Sequence, residues 1–237
     1  MEADRLVKVY HHKTVVNEVC LHVNAGEIVG LLGPNGAGKT TSFYMMVGLI
    51  SPEAGRVLFN GQDITHVPMY KRARMGVGYL SQEPSVFRKL SVEDNIMAVL
   101  ETLDLTDDER KRRLDVLMNE LNIAGLAKQK AYTLSGGERR KVEITRALVT
   151  SPSMLMLDEP FSGVDPLAVS DIQEILKGLK KRGLGILITD HNVRETLAVV
   201  DRAYLIYEGT VLREGESSFL VNDEMSRQLY LGTGFTM

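Results

Sequence analysis

A chain of 237 residues, 44% of them hydrophobic, is long enough to bury a substantial core in one or two domains. Its 28 Lys and Arg against 31 Asp and Glu leave a net charge of −3 with no basic tract, which argues against a nucleic-acid partner. The single cysteine, Cys20, excludes an internal disulfide and suits a reducing cytoplasm, and with neither a secretory signal nor an apolar run near the roughly 18–20 residues of a membrane span, any membrane part is expected to be another chain.

In chain order, residues 6–10, 15–16 and 21–23 read as short strands. The apolar run 28–32 before a Gly-rich stretch reads as a buried parallel strand. Lys39, Thr40 and Thr41 then open a helix through Phe43, Met46 and Val47. Residues 57–59 before Asn60-Gly61 read as a hairpin. From 87 to 150 the pattern is helical. Ser91 caps a helix with Val92, Ile96, Val99 and Leu103 on one face, and Thr106 with Glu109 forms a capping box ahead of Leu114, Leu117, Met118 and Leu121. Lys111-Arg112-Arg113 and Arg139-Arg140-Lys141 fall on these patterns and read as solvated helix faces. A second apolar strand, 154–157, ends in Asp158, Glu159 and Pro160. Asp165 and Pro166 suit the N-cap and first position of a helix lined by Val169, Ile172, Leu176 and Leu179, which stops at Gly183. Strand 185–189, a helix from Val193, a hairpin about Glu208-Gly209 and a helical tail over 216–237 complete the chain.

Two stretches carry chemistry. GPNGAGKTT at 33–41 fits G-x-x-x-x-G-K-[ST], the phosphate-cradling loop of nucleotide triphosphatases. Gly33, Gly36 and Gly38, interleaved with Pro34, Asn35 and Ala37, let the backbone turn its N–H groups inward, and the following helix N-terminus adds to this anion site. Lys39 is expected on the β- and γ-phosphates of ATP and the Thr40 hydroxyl on Mg²⁺. Asp158, ending a buried strand, suits Mg²⁺ through water, and Glu159 suits a general base on the attacking water. The second stretch is LSGGE at 134–138. Ser135 and Glu138 make a capping box, but Gly136 and Gly137 are poor residues for a first helical turn, and they open the helix end to a ligand.

The order of Tyr10, the phosphate loop, Gln82, LSGGE, Asp158-Glu159-Pro160, SGVD at 162–165 and His191 resembles the nucleotide-binding subunits of ATP-binding cassette (ABC) transporters over nearly the whole length. Singly, Tyr10, Gln82, Asp165 and His191 are ordinary core, surface, cap and loop residues; their order is what resembles the family. The resemblance implies one ATPase domain of α/β class. Its P-loop core has a mainly parallel sheet and an antiparallel β subdomain (1–86 and 151–215), with an inserted helical subdomain (87–150) and a helical tail (216–237). It also implies that Tyr10 stacks on adenine, that Gln82 contacts Mg²⁺ or the attacking water, and that His191 holds the γ-phosphate. Ser135, Gly136 and Gly137 would cap the γ-phosphate held by the second copy of a homodimer, with Asp165 connecting the two sites. Phe87 and Arg88 would line a groove receiving a helix of the membrane partner.

Three longer stretches, 77–101, 136–148 and 186–206, are similar to the ATPases of bacterial lipopolysaccharide exporters. That implies two membrane-embedded permease subunits, lipopolysaccharide met only indirectly, and a place on the cytoplasmic face of the inner membrane. Cassettes for branched-chain amino-acid import are close relatives and stay open as an alternative. A non-transport cassette acting on nucleic acid or ribosomes calls for two cassettes or a long coiled-coil insertion, and for a basic surface; the sequence has none of these.

Overall fold

The structure is a computed structural model describing residues 1–232, 234 and 235; of the expected tail, Thr233, Thr236 and Met237 lie outside the described residues. Strands β1 (Glu2–Tyr10) and β2 (Lys13–His22) form an antiparallel pair joined at His11-His12. After β3 (Ile28–Leu32) and α1 (Lys39–Val47), β4 (Ala54–Phe59) and β5 (Gln62–Asp63) complete a four-stranded sheet in the order β2-β1-β4-β5. The stretches 15–16 and 21–23, expected as separate strands, are one strand. Its buried positions Val16, Val19 and Leu21 miss strict alternation because the β1–β2 register shifts, with Arg5 and Glu18 at positive φ.

Next come α2 (Met69–Arg74) and β6 (Val77–Leu80), then α3 (Val92–Leu100), α4 (Asp107–Glu120) and α5 (Gly136–Leu148). Ser91, Thr106 and Ser135 each close a capping box at the start of α3, α4 and α5. Beyond them lie β7 (Met154–Asp158), α6 (Pro166–Lys181), β8 (Gly185–Thr189), α7 (Val193–Leu197), β9 (Arg202–Tyr207) and β10 (Thr210–Glu216). The tail holds α8 (Ser217–Asn222), α9 (Glu224–Ser226) and a wide turn over Arg227–Leu231.

The second sheet has the order β10-β9-β3-β8-β7-β6, parallel except for the edge strand β10. Its central strands are buried on both faces, which explains their unbroken apolar runs. Ile28, Leu32, Leu155, Leu157, Ile186 and Ile188 face the core shared with α3–α6; Val29, Leu31, Met154, Met156 and Leu187 face the core shared with α1 and the antiparallel sheet.

Arg72 of α2 is fully buried and locks this second core. Its Nη1 donates to the carbonyls of Met45 (2.9 Å) and Met46 (2.6 Å) in the last turn of α1, Nε to Val67 (2.7 Å) and Nη2 to Thr65 (2.9 Å). These bonds satisfy carbonyls that a helix end leaves open, although burial lowers the Arg72 pKa to about 10. Arg72→Ala is expected to cost about 3 kcal/mol in urea unfolding, through stranded carbonyls and a cavity. A loss below about 0.5 kcal/mol would show that other donors replace it.

Candidate functional site

Four neighbouring parallel strands, β3, β8, β7 and β6, end at one edge of the sheet, the edge where open α/β sheets place ligands. The loop after β3 is the phosphate loop. The turn after β7 carries Glu159, the loop after β8 carries His191, and the loop after β6 carries Gln82.

Within the loop, Gly38 has φ 103°, and a Cβ there would lie 2.5 Å from the Val15 carbonyl, so the antiparallel sheet itself demands glycine. A Cβ on Gly33 would meet the Ile206 carbonyl at 2.1 Å. Helix α1 then begins with no side-chain cap and no acidic residue in its first turn, leaving its N-terminal N–H groups to serve an anion. Lys39 Nζ donates to the carbonyls of Gly33 (2.6 Å) and Pro34 (2.9 Å), and burial lowers its pKa. Thr40 is exposed and Thr41 half-buried at the mouth of the helix.

Glu159 adopts φ 46°, an uncommon conformation for a residue with a side chain, and its N–H donates to the Thr189 carbonyl at the end of β8. Its Oε2 accepts from Gln82 Nε2 at 3.0 Å and lies 3.0 Å from His191 Nδ1. Three residues singled out separately in the sequence therefore meet at one oxygen. Asp190, buried beside His191, accepts from the N–H of Phe161 (3.0 Å) and of Asn192 (2.8 Å), tying the turn after β7 to the loop after β8. The sequence reading gave Asp190 no role; its position at the end of a buried strand, like that of Asp158, was the available signal.

Asp158 is 2% exposed, and its Oδ2 has no hydrogen-bond partner among the described residues. Burial pushes its pKa up to about 6, and the charges of Glu159 and Asp190 push the same way against the Tyr44 hydroxyl and Arg140. An orphaned buried carboxylate oxygen beside an anion-binding loop fits a divalent cation.

A second group stands apart. Among the described residues, no hydrogen bond or ion pair joins Ser135, Gly136, Gly137 and Asp165 to the phosphate loop. Ser135 caps α5, and Asp165 caps α6 through the Ala168 N–H at 3.0 Å. Both glycines have a packing reason within the chain. A Cβ on Gly137 would lie 2.3 Å from Ala168 Cβ, and one on Gly136 would lie 2.8 Å from the Gly163 carbonyl. The openness inferred from the sequence is therefore also what lets α5 and α6 begin side by side. Tyr10, 42% exposed, ends β1 with Lys8 Nζ 5.3 Å from its ring.

Phe87 is 49% exposed, so it is no core residue; the Arg146 guanidinium lies 4.7 Å from its ring, and Asn95 holds its N–H and carbonyl. Arg88 beside it is exposed. One expectation fails outright. Arg139-Arg140-Lys141 is not a solvated face, because Arg140 is only 5% exposed and pairs with buried Glu143 at 3.1 Å. The helical spacing Gly137, Arg140, Ile144, Leu148 puts it on the buried side, a periodicity that the run of three charges masked.

Residues 16–162 match the family described as ABC transporter. The chain is 54% identical over 235 residues to the lipopolysaccharide export system ATP-binding protein LptB of Acidithiobacillus ferridurans, covering 99% of this chain and 98% of that one. It is 51% identical over 238 residues to the protein of the same name from Escherichia coli strain K12, covering 100% and 99%. Among solved structures, the ADP conformation of an ATP-binding cassette of an ABC transporter superposes with a TM-score of 0.88 at 27% identity, over 98% of each chain.

The Asp158 environment gives a pH signature. The folded chain binds this proton more tightly than the unfolded chain, whose value is the usual 3.8, so its contribution to stability falls as pH rises from about 4 to above 6. Asp158→Asn is therefore expected to stabilise the chain at pH 7 in EDTA by about 2–3 kcal/mol, and by nearly nothing below pH 4. Urea unfolding at the two pH values checks this; an equal effect at both would remove Asp158 as the source.

Proposed function

This chain belongs to the ABC transporter family and is an ATPase, and from that premise we propose that it powers lipopolysaccharide export. It does so as a homodimer beneath two permease subunits on the cytoplasmic face of a bacterial inner membrane. Support for the substrate comes from the identity of 51–54% to lipopolysaccharide export proteins along nearly the full chain. The observation that carries the chemistry is the shared Glu159 oxygen, approached by Gln82 and His191 at the strand edge that ends in the phosphate loop.

In this reading, Gly33, Pro34, Asn35, Gly36, Ala37, Gly38, Thr41 and the first turn of α1 hold the phosphates of ATP, and Tyr10 stacks on adenine. Lys39 exchanges its loop carbonyls for the β- and γ-phosphates. Thr40, Asp158 and Gln82 would hold Mg²⁺, whose charge offsets that of the phosphates. Glu159 accepts the proton of the attacking water while Gln82 and His191 keep its carboxylate aimed, and His191 also reaches the γ-phosphate. Ser135, Gly136 and Gly137 of residues 87–150, taken as a helical subdomain, close over the γ-phosphate of the second copy, and Asp165 joins the two sites. ATP thereby draws the copies together, and loss of the γ-phosphate lets them part.

Glu159→Gln is expected to bind ATP normally and to turn over about 10²–10⁴-fold more slowly, because an amide cannot take the proton. A mutant with normal steady-state hydrolysis would end the base assignment. In the complex with its membrane subunits, the same mutant should fail to extract lipopolysaccharide from vesicles. Export of a different solute by that complex would overturn the substrate assignment alone.

Phe87→Ala tests the partner surface. The exposed ring predicts little loss of melting temperature and unchanged hydrolysis by the isolated chain, with association to the membrane subunits weakened by about 2 kcal/mol. Normal co-purification of the mutant would move the docking surface elsewhere.

A further inference from the structure

All five N–H donors of Arg140 are used. Nε donates to the Pro160 carbonyl (3.1 Å), and Nη2 to the carbonyls of Asp158 (2.9 Å) and Glu159 (2.8 Å). Nη1 donates to the Ser81 carbonyl (3.0 Å) and to Glu143 Oε2 (3.1 Å). Three of the five land on consecutive carbonyls of the turn that holds Glu159. The other oxygen of Glu143 accepts from the Ser85 N–H at 2.8 Å, and Arg146, two residues short of the end of α5, donates to the Ser85 carbonyl. One helix thus grips the Glu159 turn and both ends of the Gln82 loop.

The turn needs such a grip. Glu159 sits at φ 46°, a conformation that costs energy and persists only where its surroundings over-determine it. The Thr189 carbonyl fixes its N–H from one side, and Arg140 fixes its carbonyl from the other. With the carbonyl released, one of the two bonds that hold Glu159 at its strained angle is lost. The Pro160 ring blocks free rotation of the peptide, but the turn can relax enough to shift the carboxylate away from Gln82 and His191.

We infer that Arg140, oriented by Glu143, is a positioning residue for ATP hydrolysis, clamping the Glu159 turn and the Gln82 loop into one unit. Among the described residues none of its hydrogen bonds or ion pairs reaches the phosphate loop, so it is expected to act on turnover and to leave binding of the phosphates largely unchanged. Lysine keeps the charge but presents its donors from a single nitrogen, which cannot reach carbonyls spread around a planar fork. The role rests on Glu159 being the hydrolytic base.

The test is steady-state hydrolysis by the full chain, with ATP affinity and thermal unfolding measured on the same samples. Arg140→Lys should lower kcat about ten- to a hundred-fold, as expected for a misplaced catalytic group, with KM for ATP within about two-fold of the parent. Glu143→Gln cannot accept at both of its polar ends and should lower kcat several-fold with the same KM pattern. A purely structural role predicts something else: a lower melting temperature with kcat per folded molecule unchanged, or KM and kcat shifting together. Either outcome overturns the proposal, as does unchanged kcat in Glu143→Gln should Arg140→Lys not fold. Glu159→Gln, run alongside, separates the failures. If it keeps turnover, the base assignment has failed; if it is inactive while Arg140→Lys keeps full kcat, the positioning role has failed.

Discussion

A single carboxylate oxygen, Oε2 of Glu159, receives the Gln82 amide and meets the His191 ring, and the parallel ladder decides whether it can. Leu80 pairs with Leu157 and Asp158 pairs with Thr189. Gln82 therefore follows its last paired residue by two positions, Glu159 by one and His191 by two. A one-residue slip between these strands would turn every side chain to the opposite face and pull the three groups apart. Because both faces of β7 and β8 are buried in apolar packing, a slip is heavily penalised, and the two cores hold the chemistry in register.

The site is paid for in strain and in buried charge. Asp158 holds an orphaned oxygen, Glu159 an uncommon backbone angle, and Arg140 a buried guanidinium. Each is unfavourable in isolation. They offset one another only in part, since Arg140 serves the carbonyls around Asp158 while the Asp158 carboxyl itself stays above its usual pKa. A chain optimised for stability alone would remove that carboxyl, so its presence is better explained by a cation than by folding.

The α/β class, the order of strands and helices after residue 150, the Ser91 cap, the capping boxes at Thr106 and Ser135 and the phosphate loop were legible because each rests on local signals: apolar runs, cap residues and glycine spacing. What escaped depended on partners distant in sequence. Strand β2 was cut in two because bulges break its alternation, and α2 with β6 went unassigned because each is short and lacks a side-chain cap or a strong stripe. Arg140 was misread because charge density dominated the local pattern, while its five acceptors lie 3 to 59 residues away. Glu159 was marked by its place after a buried strand and Gln82 and His191 by family resemblance, each on its own; their meeting at one oxygen leaves no trace in their separation in sequence.

The glycines of the signature show how one residue type can answer two demands. Seen from the sequence, Gly136 and Gly137 open a helix end to a phosphate. Within the fold they let α5 start against α6, with Gly137 on Ala168 and Gly136 on the Gly163 carbonyl. These demands are compatible. Packing α5 this closely on α6 brings the Ser135 cap and the Asp165 cap to neighbouring helix starts, and both caps are exposed. The two helix starts therefore share one exposed surface. Any larger residue at Gly137 disturbs that surface by first disturbing the chain's own packing. Loss of activity on substituting it therefore speaks for phosphate capping only where the α5–α6 contact is shown to survive.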